Sequence, residues 1–284
     1  MLQASVIVPT RGRPDYLRVA LESLAAQDLG RDSFEVLVVD DGPDELTRRL
    51  VQRVAERSSA PIGYVERQGP PGLNSARNTG VAAAGSEFVV FVDDDIEAPP
   101  GWLRALVHGR ARHPEGLVFG GPIRLRLEGS KLPMCGREDP PITSLDEGER
   151  DREVDVVWGA NMAADRAAFD IAGMFDEGVP YGFDEDMWER RLREHGGRVI
   201  YIADAGLVHR RDTRDSRLWP LMRAAYRRGR ALRSYIEFQG RAPSVAAELR
   251  VLVGCIWHIF RRRCGNGLLL TAHSTGRVIQ ALDG

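Results

Sequence analysis

The sequence has little cysteine: Cys135, Cys255 and Cys264 are its three, far apart and odd in number among 284 residues. That pattern excludes a disulfide framework, shows no paired metal-type spacing, and points to a reducing compartment. No run of about 18 apolar residues occurs, which excludes a helix that spans a bilayer outright. The opening "MLQASVIVPT" lacks a basic region followed by a long apolar stretch, so no secretory leader is expected. Net charge is also small, formally −2, and leaves no global field to gather nucleic acid, although arginine clusters late in the chain. A cytoplasmic protein with no nucleic-acid partner is expected.

What is present is enough apolar sequence, 43% of the chain, to bury a large core. Short β-branched runs alternate with helical spacing. "SVIVP" (5–9), "FEVLVVDDG" (34–42), "IGYVERQ" (62–68) and "EFVVFVDDD" (87–95) read as strands. "DYLRVALESLAAQ" (15–27), "DELTRRLVQRVAER" (44–57) and "GLNSARNTGVAAA" (72–84) read as helices between them. Near-continuous apolar strands separated by helices predict an α/β fold with a mostly parallel sheet covered on both faces. Ligands of such sheets bind beyond the carboxyl ends of the strands. Asp40–Asp41 and Asp93–Asp95 both fall there. One aspartate at a strand end is commonly a turn or a cap. Three in succession repel one another, and a divalent cation with a bound diphosphate would relieve that; oxygen ligands suit Mg²⁺ or Mn²⁺.

The segments "ASVIVPTRGRPDYLRVALESLAAQ", "EVLVVDDG", "GLNSARNTGVAAAGSEFVVFVDDD", "GANMAADRAAFDIAGMFDE" and "FDEDMWERRLREHGGRVIYIADAGLVH" together resemble the family 2 inverting glycosyltransferases of GT-A fold. The resemblance runs in order from about residue 4 to residue 210. It implies a catalytic domain over 1–210, with a nucleotide-sugar half (1–98) and an acceptor half (99–210), followed by a helical extension over 211–284. It further implies a nucleoside-diphosphate sugar donor, UDP-sugar favoured over GDP- or TDP-sugar, a divalent metal (Mn²⁺ or Mg²⁺) and a catalytic carboxylate. The acceptor is not named by the sequence.

Carried over residue by residue, the resemblance puts Pro9, Thr10 and Arg11 at the nucleotide. It puts Asp41 on the base, where a carboxylate accepts N–H donors. Arg77 and Asn78 of "GLNSARN" become donor-side candidates, Arg77 through its fork toward diphosphate; the alternative for Arg77 is a solvated helix arginine. Asp94 is implied near the ribose, Asp95 on the metal, and Asp93 beside either. His209, after the strand "VIYIAD" (199–204), would complete the metal shell, or else be a structural histidine. "GANMA" would line the floor of the sugar site, with Trp158 and Asn161 as the side chains to watch; a core tryptophan is the other reading.

The helix in "YGFDEDMWERRLREHGG" (181–197) opens on Asp184, Glu185 and Asp186. Acids favour a helix N-terminus, and Asp186-x-x-Glu189 fits a capping box. The resemblance instead implies the general base here, mapped to Asp186 with Glu185 beside it. Successive helical positions differ by about 100°, so the three acids cannot share one target. Residues 129–152 read as an irregular loop lying over the site.

In the extension, "LWPLMRAAYRRGRALRSYIEF" (218–238) reads as an Arg-rich helix. "SVAAELRVLVGCIWHIFRRR" (244–263) reads as an apolar helix ending in three arginines. This second helix packs as a core or homodimer helix, with Ile256 and Trp257 buried, or lies peripherally at the inner face of a membrane. A sugar nucleotidyltransferase and a non-catalytic sugar-nucleotide binder remain the competing functions. "PTRGRPD" is a poor match to the first one's Gly-rich loop, and intact Asp94, Asp95 and Asp186 argue against the second.

Overall fold

Side-chain alternation builds the sheet. In β1 (Ala4–Thr10), Ala4, Val6 and Val8 enter one apolar core while Ile7 enters a second. The same period of two recurs in β2 (Phe34–Asp40), where Phe34, Val36 and Val38 oppose Leu37 and Val39. Both faces are therefore buried, as a parallel sheet requires.

The computed structural model describes residues 2–283 except 31, 130–131, 133–134, 136–139 and 179–183. Between β1 and β2 lies α1 (Pro14–Ala25). After β2 come α2 (Glu45–Ala55), β3 (Ile62–Glu66), α3 (Leu73–Ala83), β4 (Phe88–Phe91), β5 (Ile96–Glu97) and α4 (Trp102–Arg112). Next are β6 (Val118–Gly120), β7 (Ile123–Leu127), β8 (Arg152–Val154), β9 (Met162–Asp165), α5 (Arg166–Ala172), α6 (Asp184–Glu194), β10 (Val199–Tyr201) and β11 (Leu207–Arg211). The chain closes with α7 (Leu218–Phe238), α8 (Val245–Arg262) and α9 (Asn266–Asp283). Local signals match these starts: Pro14 opens α1, and Asp44 caps α2 by accepting the Thr47 N–H at 2.9 Å.

Contacts divide the chain into two units. Met1–Arg124, Ser144–Val179 and Asp184–Arg210 form the first; residues 125–143 and 211–284 belong to the second. In the first unit the sheet order is β3-β2-β1-β4-β9-β6-β10-β8. β1 pairs in parallel with β2 and β4, β2 with β3, and β6 with β10. β9 runs antiparallel to β4 and β6, and β8 to β10. The chain leaves β1 to one side and returns to β4 on the other, so a switch point opens between these strands at their carboxyl ends. Leu17, Leu21, Leu50, Trp102 and Leu106 cover one face; Ala76, Val81, Phe169, Trp188 and Leu192 cover the other.

The apolar segment 116–128 forms two strands, β6 and β7, rather than one. The structure also adds α9, which the sequence reading did not place. The second unit packs α7 and α9 around Leu221, Ala225, Leu269 and Ala272, with Ile142 beside them. On α8 the inner face is sparse: Glu248 is buried and ion-paired to Arg233 and Arg277. Its outer face carries Leu249, Val253, Ile256, Trp257 and Phe260. Packing of Ile256 and Trp257 against this chain is not found, since they are 40% and 61% exposed. Among the described residues no helix is long and apolar enough to cross a membrane.

Candidate active site

The switch point is where the acids gather. Val92 donates its N–H to the Ile7 carbonyl at 3.1 Å, which extends the β1–β4 pairing and brings Asp94 beside Thr10. Thr10 Oγ1 donates to Asp94 Oδ2 at 2.8 Å. Arg13, in the turn that follows β1, spans two acids: Nη1 meets Asp94 Oδ1 and Nη2 meets Asp95 Oδ2, both at 2.7 Å. Burial pushes the Asp94 carboxyl up to about 7, against the downward pull of Arg13 and the Thr10 hydroxyl. Arg13 was not singled out in the sequence. Its place in "PTRGRPD", two residues past Arg11, was the signal available.

His209 reaches the acids through the small strand β5. β11 pairs antiparallel with β5, setting His209 opposite Ile96, and the Arg210 N–H donates to the Asp95 carbonyl at 2.8 Å. His209 Nε2 lies 3.1 Å from Asp95 Oδ1 and 3.9 Å from Asp93 Oδ2. One donor atom from each of Asp93, Asp95 and His209 falls within 4.8 Å of the others. Two carboxylates and an imidazole at that separation fit a hard divalent cation such as Mn²⁺ or Mg²⁺. Asp95 and His209, expected on the metal, are thus brought together with Asp93, expected beside either the metal or the ribose.

On the base side, the Asp41 carboxylate is ion-paired to Arg67 Nε at 2.8 Å, and it accepts from the Gly72 N–H at 2.8 Å and from Arg11 at 3.2 Å; Arg67 Nε donates to the Asp41 carbonyl at 3.3 Å. Arg11 itself is largely exposed, and Pro9 and Thr10 are buried. Arg67 is a second residue that sequence reasoning passed over.

Arg77 is not a surface arginine and does not face solvent. It is fully buried, with Nη1 against Asp184 Oδ2 and Asn74 Oδ1, and Nη2 2.6 Å from Glu185 Oε1. Its guanidinium also feels the charge of Asp93. Its fork is committed to the acids of α6 and to Asn74 rather than left free for diphosphate, and Asp93 acts on it through charge alone. Gly159 makes room for the junction. Its N–H donates to Glu185 Oε1 at 3.2 Å, and a Cβ there would collide with Arg77 Nη2 and Glu185 Oε1.

The three acids of α6 diverge as the helical rotation demands. Asp184 and Glu185 turn toward Arg77. Glu185 is pushed up to about 7 by burial first and by the Asp184 charge second, with Arg77 pulling the other way. Asp186 is half-buried and raised by burial, and the cations acting on it are Arg193 and Arg190. The capping box is not formed as read: both carboxylate oxygens of Glu189 accept the Val157 N–H, at 3.1 and 3.3 Å.

Two expected side chains are committed elsewhere. Asn161 Oδ1 accepts the Trp102 indole N–H at 2.9 Å, and its Nδ2 donates to the carbonyls of Ala205 and Pro122 at 2.8 and 3.2 Å. A fully buried amide with these bonds ties α4 to the floor strands and has nothing left for a sugar. Asn78 holds the 175–177 loop, donating to the Phe175 carbonyl at 2.9 Å and Glu177 Oε1 at 3.0 Å and accepting from the Phe175 N–H at 3.1 Å. Trp158 is half-buried against the core.

Similarity to known proteins agrees with this arrangement. Glycosyl transferase family 2 matches residues 5–171. The chain is 30% identical over 289 residues to the pre-mycofactocin glycosyltransferase of Mycobacterium tuberculosis (strain ATCC 25618 / H37Rv), covering 97% of this chain and 57% of that protein. It therefore spans a little over half the length of this relative. Among solved structures it resembles the mannosyltransferase PcManGT from Pyrobaculum calidifontis in complex with GDP-Man and Mn²⁺. The TM-score is 0.69 at 19% identity, covering 99% of this chain and 87% of that one. GalNAc-T7 with UDP, GalNAc and Mn²⁺ gives a TM-score of 0.59 at 16% identity, covering 75% of this chain and 44% of that one. At these identities the structural likeness speaks to the fold, which is GT-A. The chain belongs to glycosyl transferase family 2.

Proposed function

We propose that this chain moves a sugar from a nucleoside-diphosphate sugar to an acceptor hydroxyl with inversion, by direct displacement. The observation that carries the reading is the cation-fitting cluster of Asp93, Asp95 and His209 at the switch point, with the Arg77-held acids of α6 near enough for the Asp93 charge to act on the same guanidinium. A leaving-group site and a base site then lie on one network.

Asp41, held in place by Arg67 and the Gly72 N–H, would accept N–H donors of the base. UDP-sugar is the favoured donor. Asp94, fixed by Thr10 and Arg13, would lie beside the ribose. Asp93, Asp95 and His209 would hold Mn²⁺ or Mg²⁺, which supplies positive charge for the departing diphosphate. Arg13 brings a fixed positive charge to Asp94 and Asp95.

Glu185 is the base. Its Oε1 is oriented by Arg77 and by the Gly159 N–H, and a carboxyl that titrates near 7 is matched to proton removal at neutral pH. Asp186, the base implied by resemblance, is acted on by Arg190 and Arg193 and stands as the second choice. Trp158 offers a half-exposed ring to the acceptor. The test is release of nucleoside diphosphate from UDP-, GDP- and TDP-sugars with Mn²⁺, in the full chain and in Asp95→Asn.

The outer stripe of α8 bears on where the acceptor is met. Leu249, Val253, Ile256, Trp257 and Phe260 recur at helical spacing on the exposed face and lead into exposed Arg261, Arg262 and Arg263. An apolar stripe ending in arginines complements an anionic membrane surface, and each basic residue there contributes about 1 kcal/mol. We assign α8 to peripheral membrane contact, with a second copy of the chain as the competing occupant.

A further inference from the structure

The second unit contains a cluster that the spacing of the cysteines concealed. Cys135 and Cys264 are 129 residues apart, yet the Cys135 N–H donates to Cys264 Sγ at 3.2 Å. His258 of α8 completes the group, its Nε2 3.4 Å from Cys135 Sγ. One donor atom from each of the three lies within 4.8 Å of the others. All three residues belong to the second unit and lie outside the acid cluster of the first.

We infer that Cys135, His258 and Cys264 form a zinc site with two thiolates, one imidazole and a fourth position open to water. Tetrahedral zinc, with bonds of about 2.3 Å to sulfur and about 2.0–2.1 Å to nitrogen, sets neighbouring sulfur and nitrogen ligands about 3.5 Å apart. The 3.4 Å between Cys135 and His258 meets that spacing without rearrangement. Both cysteines are free thiols, so no disulfide occupies the pair. Backbone N–H groups of Cys135 and Asn266 point at the Cys264 sulfur, the outer support that metal-bound thiolates use.

The backbone gives independent support. Arg263 has φ 47° and ψ 40°, and among the described residues it is the one non-glycine with positive φ. A left-handed arginine is strained, and such strain persists where surrounding contacts demand it. Here it ends α8 and turns Cys264 inward, to 3% exposure, directly after His258 has been presented by the last turns of the helix. Soft sulfur donors select zinc over Mn²⁺ or Mg²⁺, so this site and the oxygen-rich cluster of Asp93 and Asp95 take different metals. Bound zinc would fasten Cys135 to the α8–α9 corner.

The full chain, stripped of metal by chelator under reducing conditions, is titrated with Co²⁺ and then Zn²⁺ beside excess Mg²⁺. A thiolate site gives a sulfur-to-cobalt charge-transfer band in the wild type, which Zn²⁺ abolishes. Asp95→Asn retains the band, because it removes only the hard site. Cys264→Ser and Cys135→Ser each weaken zinc binding by more than about 100-fold against a chromophoric competitor. Zinc also protects two of the three thiols from a thiol reagent and leaves Cys255 reactive. Absence of the band in the wild type overturns the inference whatever the variants do. So does a band that disappears in Asp95→Asn, or a Cys135–Cys264 disulfide found by mass in protein isolated under reducing conditions.

Discussion

Replacing Arg77 by methionine is the sharpest probe of the junction between α3 and α6. Methionine keeps an unbranched apolar stem and removes the charge that meets Asp184 and Glu185. The arginine is 1% exposed and both acids are buried, so water screens little of the loss. Removing one partner of a buried pair costs about 3–5 kcal/mol, and with two acids losing their shared cation the upper end, about 5 kcal/mol, is expected. The cost depends on pH. A carboxyl whose folded pKa stands above its unfolded value binds a proton on folding. The Glu185 contribution is therefore full below 4.5 and lost as pH rises through about 7. Without Arg77 that window moves upward, so the variant should lose less near about pH 5 than near about pH 8. Urea unfolding followed by tryptophan fluorescence suits the measurement, since Trp188 of α6 packs 5.0 Å from the rings of Phe169 and Phe175. With a slope of about 3 kcal/mol per molar, the midpoint should fall by about 1–2 M at the higher pH. A fall below about 0.3 M there, or an equal fall at both pH values, would mean that Arg77 does not hold these acids in their charged form.

Asp95→Asn should abolish Mn²⁺-dependent binding of a nucleoside diphosphate in calorimetry while leaving the thermal transition in place; equal affinity with the wild type contradicts the metal assignment. Gly159→Ala should destabilise by about 1–3 kcal/mol and cut turnover, because its Cβ collides with Arg77 and Glu185; a neutral result means the junction is loose. Turnover should rise with pH through about 7 as Glu185 loses its proton, and a profile flat from about pH 6 to about pH 8 speaks against that base. The chain should co-sediment with anionic vesicles in a salt-sensitive way that Arg261, Arg262 and Arg263 changed together to Ser abolishes. Concentration-dependent dimerisation without vesicle binding would give α8 to a second copy instead.

The fold was legible because its signals are local. Period-two runs such as Val6 to Val8 and Phe88 to Val92, and the Leu17, Leu21, Leu24 spacing, report burial directly. The acids at the ends of β2 and β4 followed from the sheet. What could not be read was partner choice. Arg77 sits in an Ala-rich helix like any surface arginine, and its burial depends on Asp184 and Glu185 more than 100 residues later. Asn161 fell in a recognisable motif, but its bonds to Trp102, Pro122 and Ala205 are set by tertiary packing. α9 escaped because glycines weaken its local propensity. Gly276 is there for packing: a Cβ at that position would strike the Tyr226 carbonyl of α7.

The central claim is that Glu185 takes the acceptor proton at a site built around Asp95. The most direct measurement compares Glu185→Gln and Asp186→Asn with the wild type, using Mn²⁺ and whichever donor the screen identifies, and reads both nucleotide affinity and turnover. Glu185→Gln should keep nucleotide affinity within about threefold and lower turnover by at least about 100-fold, while Asp186→Asn should stay within about tenfold of the wild type. Near-normal turnover in Glu185→Gln, with the large loss in Asp186→Asn, would contradict the central claim.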